Sequence, residues 1–338
     1  MVADLRLGLM LGYWGANPDD ATESVLAAED CGFDSVWTAE AYGSDAFTPL
    51  TWYAARTSRI KLGTGLVQLS ARTPAATAMT AATLDALSGG RLTLGLGVSG
   101  PQVVEGWYGV PFPKPLERTR DYVEIVRKLW RREVSASDSA HYPLPYPGGT
   151  QLGKSIKLTL HPVRDRIPIL IGAEGPKNVE MATQIADGWL PIFYHVEHGS
   201  DYYAEALAGA PEGFQVCCPV TISINDDVAT ALELVKWSLA FYIGGMGAAS
   251  MNFHLNVIGR MGYADDAAEV QRLFLGGDRE AAMKAVPDEL ADGIALCGPL
   301  DRIKQRLDLW RKTPVTTVLA GGVRNPDHLK AVADLFNG

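Results

Sequence analysis

A rhythm in the sequence constrains this chain most. Short apolar runs alternate with helix-patterned stretches, at a period of about 30 residues through the first hundred. Leu5 to Leu11 is the first run, and Ala21 to Cys31 follows with Val25, Leu26 and Ala28 at helical spacing before Gly32 ends it. Asp34 to Thr38 is a second short strand, with a helix over Phe47 to Arg56 behind it. Ile60 to Leu69 is a third apolar run, broken by Gly63 and Gly65, so its far end either bends or lets something approach its backbone. Pro74 suits the first turn of a helix that Gly89-Gly90 stops, and Arg91 to Gly97 is the fourth strand.

The alternation continues with two interruptions. Leu116 to Arg131 is an amphipathic helix, with Tyr122, Val123, Val126, Leu129 and Trp130 on one face. Residues 132–165 then turn rich in Ser, Pro, Gly and Tyr, with a strand-like piece at Lys157 to Leu160, and read as an insertion. Ile167 to Ile171, Gly188 to Pro191 and Phe214 to Ile224 are further strands, with Tyr202 to Ala208 helical between the last two. A helical pattern from Asp227 to Asp292 is too long for one crossover, which places a second insertion at about 244–292. Gly298-Pro299 opens another helix, Val315 to Leu319 is a final strand, and Asp327 to Phe336 closes the chain.

Repeated right-handed crossovers build either an open doubly wound sheet or a closed barrel. The first loop, GYWGANPDD, lacks the G-x-G-x-x-G of a dinucleotide-binding sheet. A strand-then-helix order repeated to the end of the chain predicts an α/β TIM (β/α)8 barrel, one domain over residues 1–338 with the two insertions. Its functional site lies at the mouth formed by the strands' C-terminal ends.

Charge and composition exclude several classes. The formal charge is -9 (30 basic against 39 acidic residues), without a basic cluster interleaved with aromatics, which disfavours nucleic acid and membrane surfaces as partners. The four cysteines fit no zinc pattern, and the six histidines show no paired spacing, so no metal is expected. A reducing, cytoplasmic setting is the default expectation. There is no G-x-S-x-G, no H-E-x-x-H and no Walker lysine.

Three loop groups carry candidate chemistry. Gly172, Ala173, Glu174, Gly175, Pro176, Lys177 and Asn178 enter a helix, whose free amides attract an anion, phosphate above all, while Lys177 adds a cation. The alternative is an ordinary βα turn. Val98, Ser99 and Gly100 follow the fourth strand, and the Ser99 hydroxyl either meets part of the same anionic tail or caps the next helix. Tyr13, Trp14, Glu40, Tyr42, Gln68, Tyr194 and His195 all fall just past strand ends, where aromatics suit a flat small-molecule ligand. Glu40 is either a buried proton donor or an acceptor that holds a cofactor, and His195 is either a catalyst or a loop residue.

With these stretches in view, the chain resembles the bacterial luciferase-like superfamily of TIM barrels. The resemblance spans nearly the whole chain. It is carried by GFDSVW at 32–37, KLGTGLVQLSARTP at 61–74, LDALSGGRLTLGLGVSG at 84–100, KPLERTRDYVEIVRKLW at 114–130, IGAEGPKNVEMA at 171–182 and ADGWLP at 186–191. The branch it is most similar to uses coenzyme F420, a deazaflavin, and includes methylenetetrahydromethanopterin reductases and sugar-phosphate dehydrogenases. The resemblance implies a cytoplasmic oxidoreductase that moves a hydride between the deazaflavin and a small organic substrate, working as a homodimer or larger homo-oligomer packed through its early helices. It implies a non-prolyl cis peptide at Gly65-Leu66 against the cofactor ring. It also implies contacts to the ring or its side chain from Glu40, to the tail from Val98, Ser99 and Gly100, and to phosphate from Glu174, Gly175, Lys177 and Asn178. Sugar-phosphate dehydrogenases of this family carry a histidine where this chain has Ala41 and a glutamate where it has Gly100, so the reductase branch is the nearer guide. Two rivals remain: an FMN-dependent monooxygenase of the same fold, and a non-catalytic carrier of the cofactor.

Overall fold

The structure is a computed structural model that describes residues 5–247 and 252–337. Its strands are β1 (Arg6–Gly12), β2 (Ser35–Thr38), β3 (Lys61–Thr64), β4 (Val67–Gln68), β5 (Leu92–Gly97), β6 (Ile169–Gly172), β7 (Gly188–Leu190), β8 (Gln215–Ile224), β9 (Ala295–Gly298) and β10 (Thr317–Gly321). All strand pairings are parallel. Eight strands close the barrel in the order β1-β2-β3-β5-β6-β7-β8-β10, because β10 pairs with both β8 (Val318 opposite Cys218) and β1 (Leu7 opposite Val318). β4 and β9 are short additions above that wall: β4 sits on the top of β5 (Gln68 opposite Gly97), β9 on the top of β8 (Ile224 opposite Gly298).

The first six helices are α1 (Thr22–Asp30), α2 (Phe47–Ala54), α3 (Pro74–Leu87), α4 (Pro101–Gly106), α5 (Pro115–Trp130) and α6 (Pro176–Ile185). Then come α7 (Gly199–Leu207), α8 (Val228–Gly245), α9 (Phe253–Ile258), a π-turn at Gly259–Tyr263, α10 (Ala264–Leu275), α11 (Arg279–Lys284), α12 (Asp288–Gly293), α13 (Leu300–Trp310) and α14 (Pro326–Asn337). The starts follow local chemistry. Pro74 occupies the first turn of α3, and the Thr73 hydroxyl accepts the Ala76 N–H at 3.2 Å. The apolar face expected of α5 is buried, and its Tyr122 hydroxyl bonds Thr77 of α3 at 2.6 Å. No helix of the described residues is long and apolar enough to cross a membrane.

The barrel interior is a small cluster of Trp37, Leu170, Leu190, Cys217 and Leu319 with Met10 beside it. Trp37 is far larger than the branched aliphatics that usually fill such a barrel, and glycines make its room. A Cβ on Gly63 would collide with the Trp37 ring, and one on Gly8 would meet Leu319 Cδ2 at 2.8 Å. Gly63 therefore answers a packing demand inside the barrel. The larger cluster lies between strands and helices and includes Leu62, Leu92, Ile169 and Val220 on the outward strand faces.

Two expectations change. The run Ile60 to Leu69 is two strands, with the chain leaving β3 at Gly65 and resuming as β4 through a cis Gly65-Leu66 peptide. The stretch at Lys157 to Leu160 is loop; the excursion over 132–165 has one antiparallel bridge, Ser137 with Leu144, and otherwise lies along the surface. Arg164 pins it, with Nε and Nη2 donating to the two Asp85 carboxylate oxygens at 3.0 and 2.7 Å. Of the second insertion, residues 248–251 lie outside the described residues; 253–293 form α9 to α12 with the π-turn.

Candidate functional site

The mouth is assembled from the segments after β1, β2, β3, β5 and β6, with the ends of α8 and α9 beside them. Glu40 is its best-connected residue. It is 7% exposed, and its Oε2 accepts from Arg72 Nη1 at 2.6 Å and from the Ala46 N–H at 3.4 Å. Its Oε1 accepts the Gln68 N–H at 3.2 Å, and its backbone carbonyl accepts Gln68 Nε2 at 3.1 Å. Arg72 also reaches Asp45 at 3.6 Å. A carboxylate whose two oxygens already take an ion pair and two amides is an acceptor and an anchor. Of the two roles open to Glu40, the structure favours this one over a proton donor, and Arg72 is the partner that the sequence reading missed.

The Leu66 side chain reaches over the ends of two neighbouring strands. A Cβ on Gly97 would meet Leu66 Cδ2 at 2.5 Å, and one on Gly172 would collide with the same methyl. These two glycines let Leu66 seat against the ends of β5 and β6, and the Leu66 carbonyl accepts the Glu40 N–H at 3.1 Å. Gln68 Oε1, one residue beyond β4's start, is buried without a partner. An orphaned acceptor at a strand end marks a place where a donor from outside the chain fits.

After β5, Ser99 takes the left-handed region (φ 60°), and Gly100 caps α4 with its carbonyl accepting the Val103 and Val104 N–H groups. Ser99 thus does not cap the helix. After β6, Gly175 is the N-cap of α6 and Pro176 its first residue, while Lys177 is exposed. Asn178 Oδ1 is buried without a partner. The Gly175 backbone faces Arg260 of the π-turn, whose Nη1 lies 4.0 Å from a Cβ placed on that glycine and donates to Tyr202 Oη at 3.3 Å. Glu174 differs from its expected phosphate role. Its carboxylate oxygen Oε1 lies 2.6 Å from His254 Nδ1, and its carbonyl accepts the Tyr203 hydroxyl at 3.1 Å. A carboxylate here repels phosphate, so the amides of the turn, Lys177 and Arg260 are the groups suited to an anion.

The aromatic wall is real on one side only. Tyr13 and Tyr42 stand 6.5 Å apart, Tyr42 is edge-on to Trp107 at 6.3 Å, and the Tyr42 hydroxyl reaches Met246 Sδ at 3.4 Å. Beside this group the Trp14 backbone N–H donates to Ser44 Oγ at 3.0 Å. Burial, and then Tyr42 beside it, raises the Tyr13 phenol above its ordinary pKa. Burial raises Tyr242 of α8 as well, with Tyr13, Glu174 and Tyr42 adding to it.

Tyr194 and His195 do not belong to this wall. The chain after β7 turns outward into the helical layer. There Tyr194 is buried among Trp189, Tyr203 and Trp310 and bonds Ser200 Oγ at 2.9 Å. His195 is 1% exposed, its Nε2 packs against Gly293 without a partner, and its Nδ1 accepts the Glu197 N–H at 3.3 Å. Burial, with His198 adjacent, pushes its pKa down to about 4. The imidazole packs against His198, Tyr263 and Gly293, and among the described residues it makes no ring contact with Tyr13 or Tyr42. Ligand atoms of His195, Glu197 and His198 come within 4.8 Å of one another, a closeness the histidine spacing did not foretell.

Comparison with known proteins adds to this geometry. The family model for luciferase-like monooxygenases matches residues 2–317. A putative coenzyme F420-dependent oxidoreductase of Mycobacterium tuberculosis is 50% identical, over 98% of this chain and 100% of its own length. The 5,10-methylenetetrahydromethanopterin reductase of Archaeoglobus fulgidus is 30% identical over 91% of both. The solved coenzyme F420-dependent tetrahydromethanopterin reductase of Methanopyrus kandleri superposes with a TM-score of 0.79 over 98% of each chain at 24% identity, a likeness of fold.

Proposed function

This chain belongs to the luciferase-like monooxygenase family, and from that premise we propose that it is a coenzyme F420-dependent oxidoreductase that moves a hydride between the deazaflavin and a small organic substrate. The observation that carries the proposal is the seat at Leu66. The Leu66 side chain lies across Gly97 and Gly172, and the segments after β3 and β6 carry buried acceptors, Gln68 Oε1 and Asn178 Oδ1, that are left without donors. A flat ring that donates N–H and hydroxyl groups fits those acceptors.

When bound, the deazaflavin supplies a two-electron carrier that gives or takes a hydride at its ring. The protein's part is to hold and orient. Leu66 backs the ring, and the Glu40–Arg72–Gln68 network fixes that segment. Ser99 and Gly100 line the tail, and the α6 amides with Lys177 and Arg260 take its anionic end. Tyr13, Trp14 and Tyr42 wall the substrate side.

Titrating the purified chain separately with F420 and FMN tests the proposal. Fluorescence should report saturable F420 binding, weakened about tenfold or more by Arg260→Ala if that guanidinium takes a charge-assisted contact. Tight FMN binding with no response to F420 would replace this reading with an FMN-dependent monooxygenase. Binding of F420 with no turnover across acceptors would leave a carrier.

A further inference from the structure

The hydride reading leaves a chemical need unmet. Adding a hydride to a C=C, C=N or C=O bond pushes an electron pair onto the neighbouring atom, which must then take a proton. Glu40 is engaged as an ion-paired acceptor, and His195 is packed behind the wall. The phenols of Tyr13 and Tyr242 hold their protons more tightly than an ordinary tyrosine does.

One imidazole meets the need, and it comes from the second insertion. α9 is capped by Asn252, whose Oδ1 accepts the Leu255 N–H at 3.1 Å and whose Nδ2 donates to the Tyr242 and Ile243 carbonyls at 3.3 and 2.6 Å. That cap ties the start of α9 to the end of α8 and fixes the position of His254. The His254 ring stands edge-on to Tyr242 at 4.9 Å and to Phe193 at 6.0 Å, and only 19% of its side chain is exposed. Glu174 lies against its Nδ1 at 2.6 Å, at ion-pair distance without hydrogen-bond alignment, and Glu174 Oε2 has no partner. Charge attraction holds the carboxylate at the Nδ1 edge of the ring and leaves Nε2, on the opposite edge, for exchange. The pair spans the two sides of the mouth: Glu174 from the barrel, His254 from the insertion.

We propose that His254 is the catalytic acid of this site and that Glu174 is its positioning residue. This rests on the hydride-transfer reading above. In the reducing direction the substrate gains a hydride at one atom of its double bond, the π pair moves to the other atom, and that atom takes the proton from His254 Nε2. The imidazole ends neutral and is reprotonated from solvent. The two electrons come from the reduced deazaflavin, and in the oxidising direction the same nitrogen accepts the proton.

The first test reads the intact apo chain and needs no substrate. Diethyl pyrocarbonate labelling, mapped by peptide mass, should modify His254, and saturating F420 should slow that labelling at least tenfold. The second uses bound reduced F420 and cyclohex-2-enone as probe, followed over a single turnover in light and heavy water. His254→Gln should slow oxidation about 100-fold and remove the solvent isotope effect, while F420 affinity stays within about threefold. Glu174→Gln should slow it about tenfold without weakening F420 binding, and Glu174→Asp should restore part of the rate. F420 binding that leaves His254 labelling unchanged overturns the inference whatever acceptor is used, as does a His254→Gln variant with an undiminished isotope effect. Failure of the wild-type chain to bind F420 overturns the underlying reading, and this inference with it.

Discussion

Glu40 shows how one side chain organises a mouth. It joins the loop after β2 to β4 and to Arg72, so Glu40→Gln removes the charge that Arg72 faces while keeping the shape. Loss of a charge-assisted bond at a mostly buried site costs about 1.5–3 kcal/mol, and urea denaturation should read that fall together with weaker cofactor binding. Gly172 tests the seat of Leu66. Gly172→Ala should lose cofactor binding and about 1–3 kcal/mol of stability through overpacking, and adding Leu66→Ala should recover stability but not binding. His195 supplies a pH prediction. Its pKa of about 4 lies below the ordinary 6.5, so between those values the unfolded chain takes up a proton that the folded one refuses. The stability it gives at neutral pH is present above 6.5 and lost as pH falls towards 4, by at most about 3 kcal/mol. Denaturant midpoints at pH 7 and 4.5 should show that loss in the wild type and much less of it in His195→Gln, with His198, Glu197 and Arg306 as the charged or titratable neighbours left in place. Glu40, Leu66 and Gly175 were legible because each sits in a local strand-end pattern. Arg72, His254 and Arg260 were not, since no local pattern says which strand-end residues their side chains meet.

At the scale of elements, the bend at Gly65 was legible because two glycines interrupt an apolar run, but its division into β3 and β4 was not. Parallel pairing depends on what β5 offers alongside, and that is absent from the run itself. Gly63 misled in the other direction, since its partner, Trp37, is a strand away. The excursion over 132–165 was visible from composition, while the strand foreseen at Lys157 to Leu160 failed for want of a neighbour to pair with. What holds that excursion is the fork of Arg164 on Asp85, whose side chain is 1% exposed. Arg164→Leu strands that carboxylate without its main cation. It should cost about 3 kcal/mol in chemical denaturation and expose the segment to proteases, whereas Asp85→Asn with Arg164→Leu should recover part of the loss. The insertion that bears α9 was legible as helix from its period, yet its arrival at the mouth depends on packing against α8 and on the contact of His254 with Glu174 after β6, which no period encodes.

For the molecule as a whole, the eightfold alternation specified a closed barrel before any contact was known, because crossovers of one hand leave few other closures. The same alternation says nothing of what sits in the mouth; that follows from the glycines, the orphaned acceptors and the family. Exposed apolar side chains on the early helices, Leu26, Trp52, Met79 and Leu87, support the proposal of a homo-oligomer. Sedimentation should give at least twice the chain's mass, and Leu87→Asp with Met79→Asp should reduce it to one if these helices form the interface. The central claim is that the seat at Leu66 holds a deazaflavin. Calorimetric titration of the apo chain with F420, beside Gly172→Ala, tests it most directly. The account predicts one saturable site per chain that the added methyl abolishes while the fold persists by circular dichroism; equal F420 affinity in Gly172→Ala, or binding of FMN alone, would contradict it.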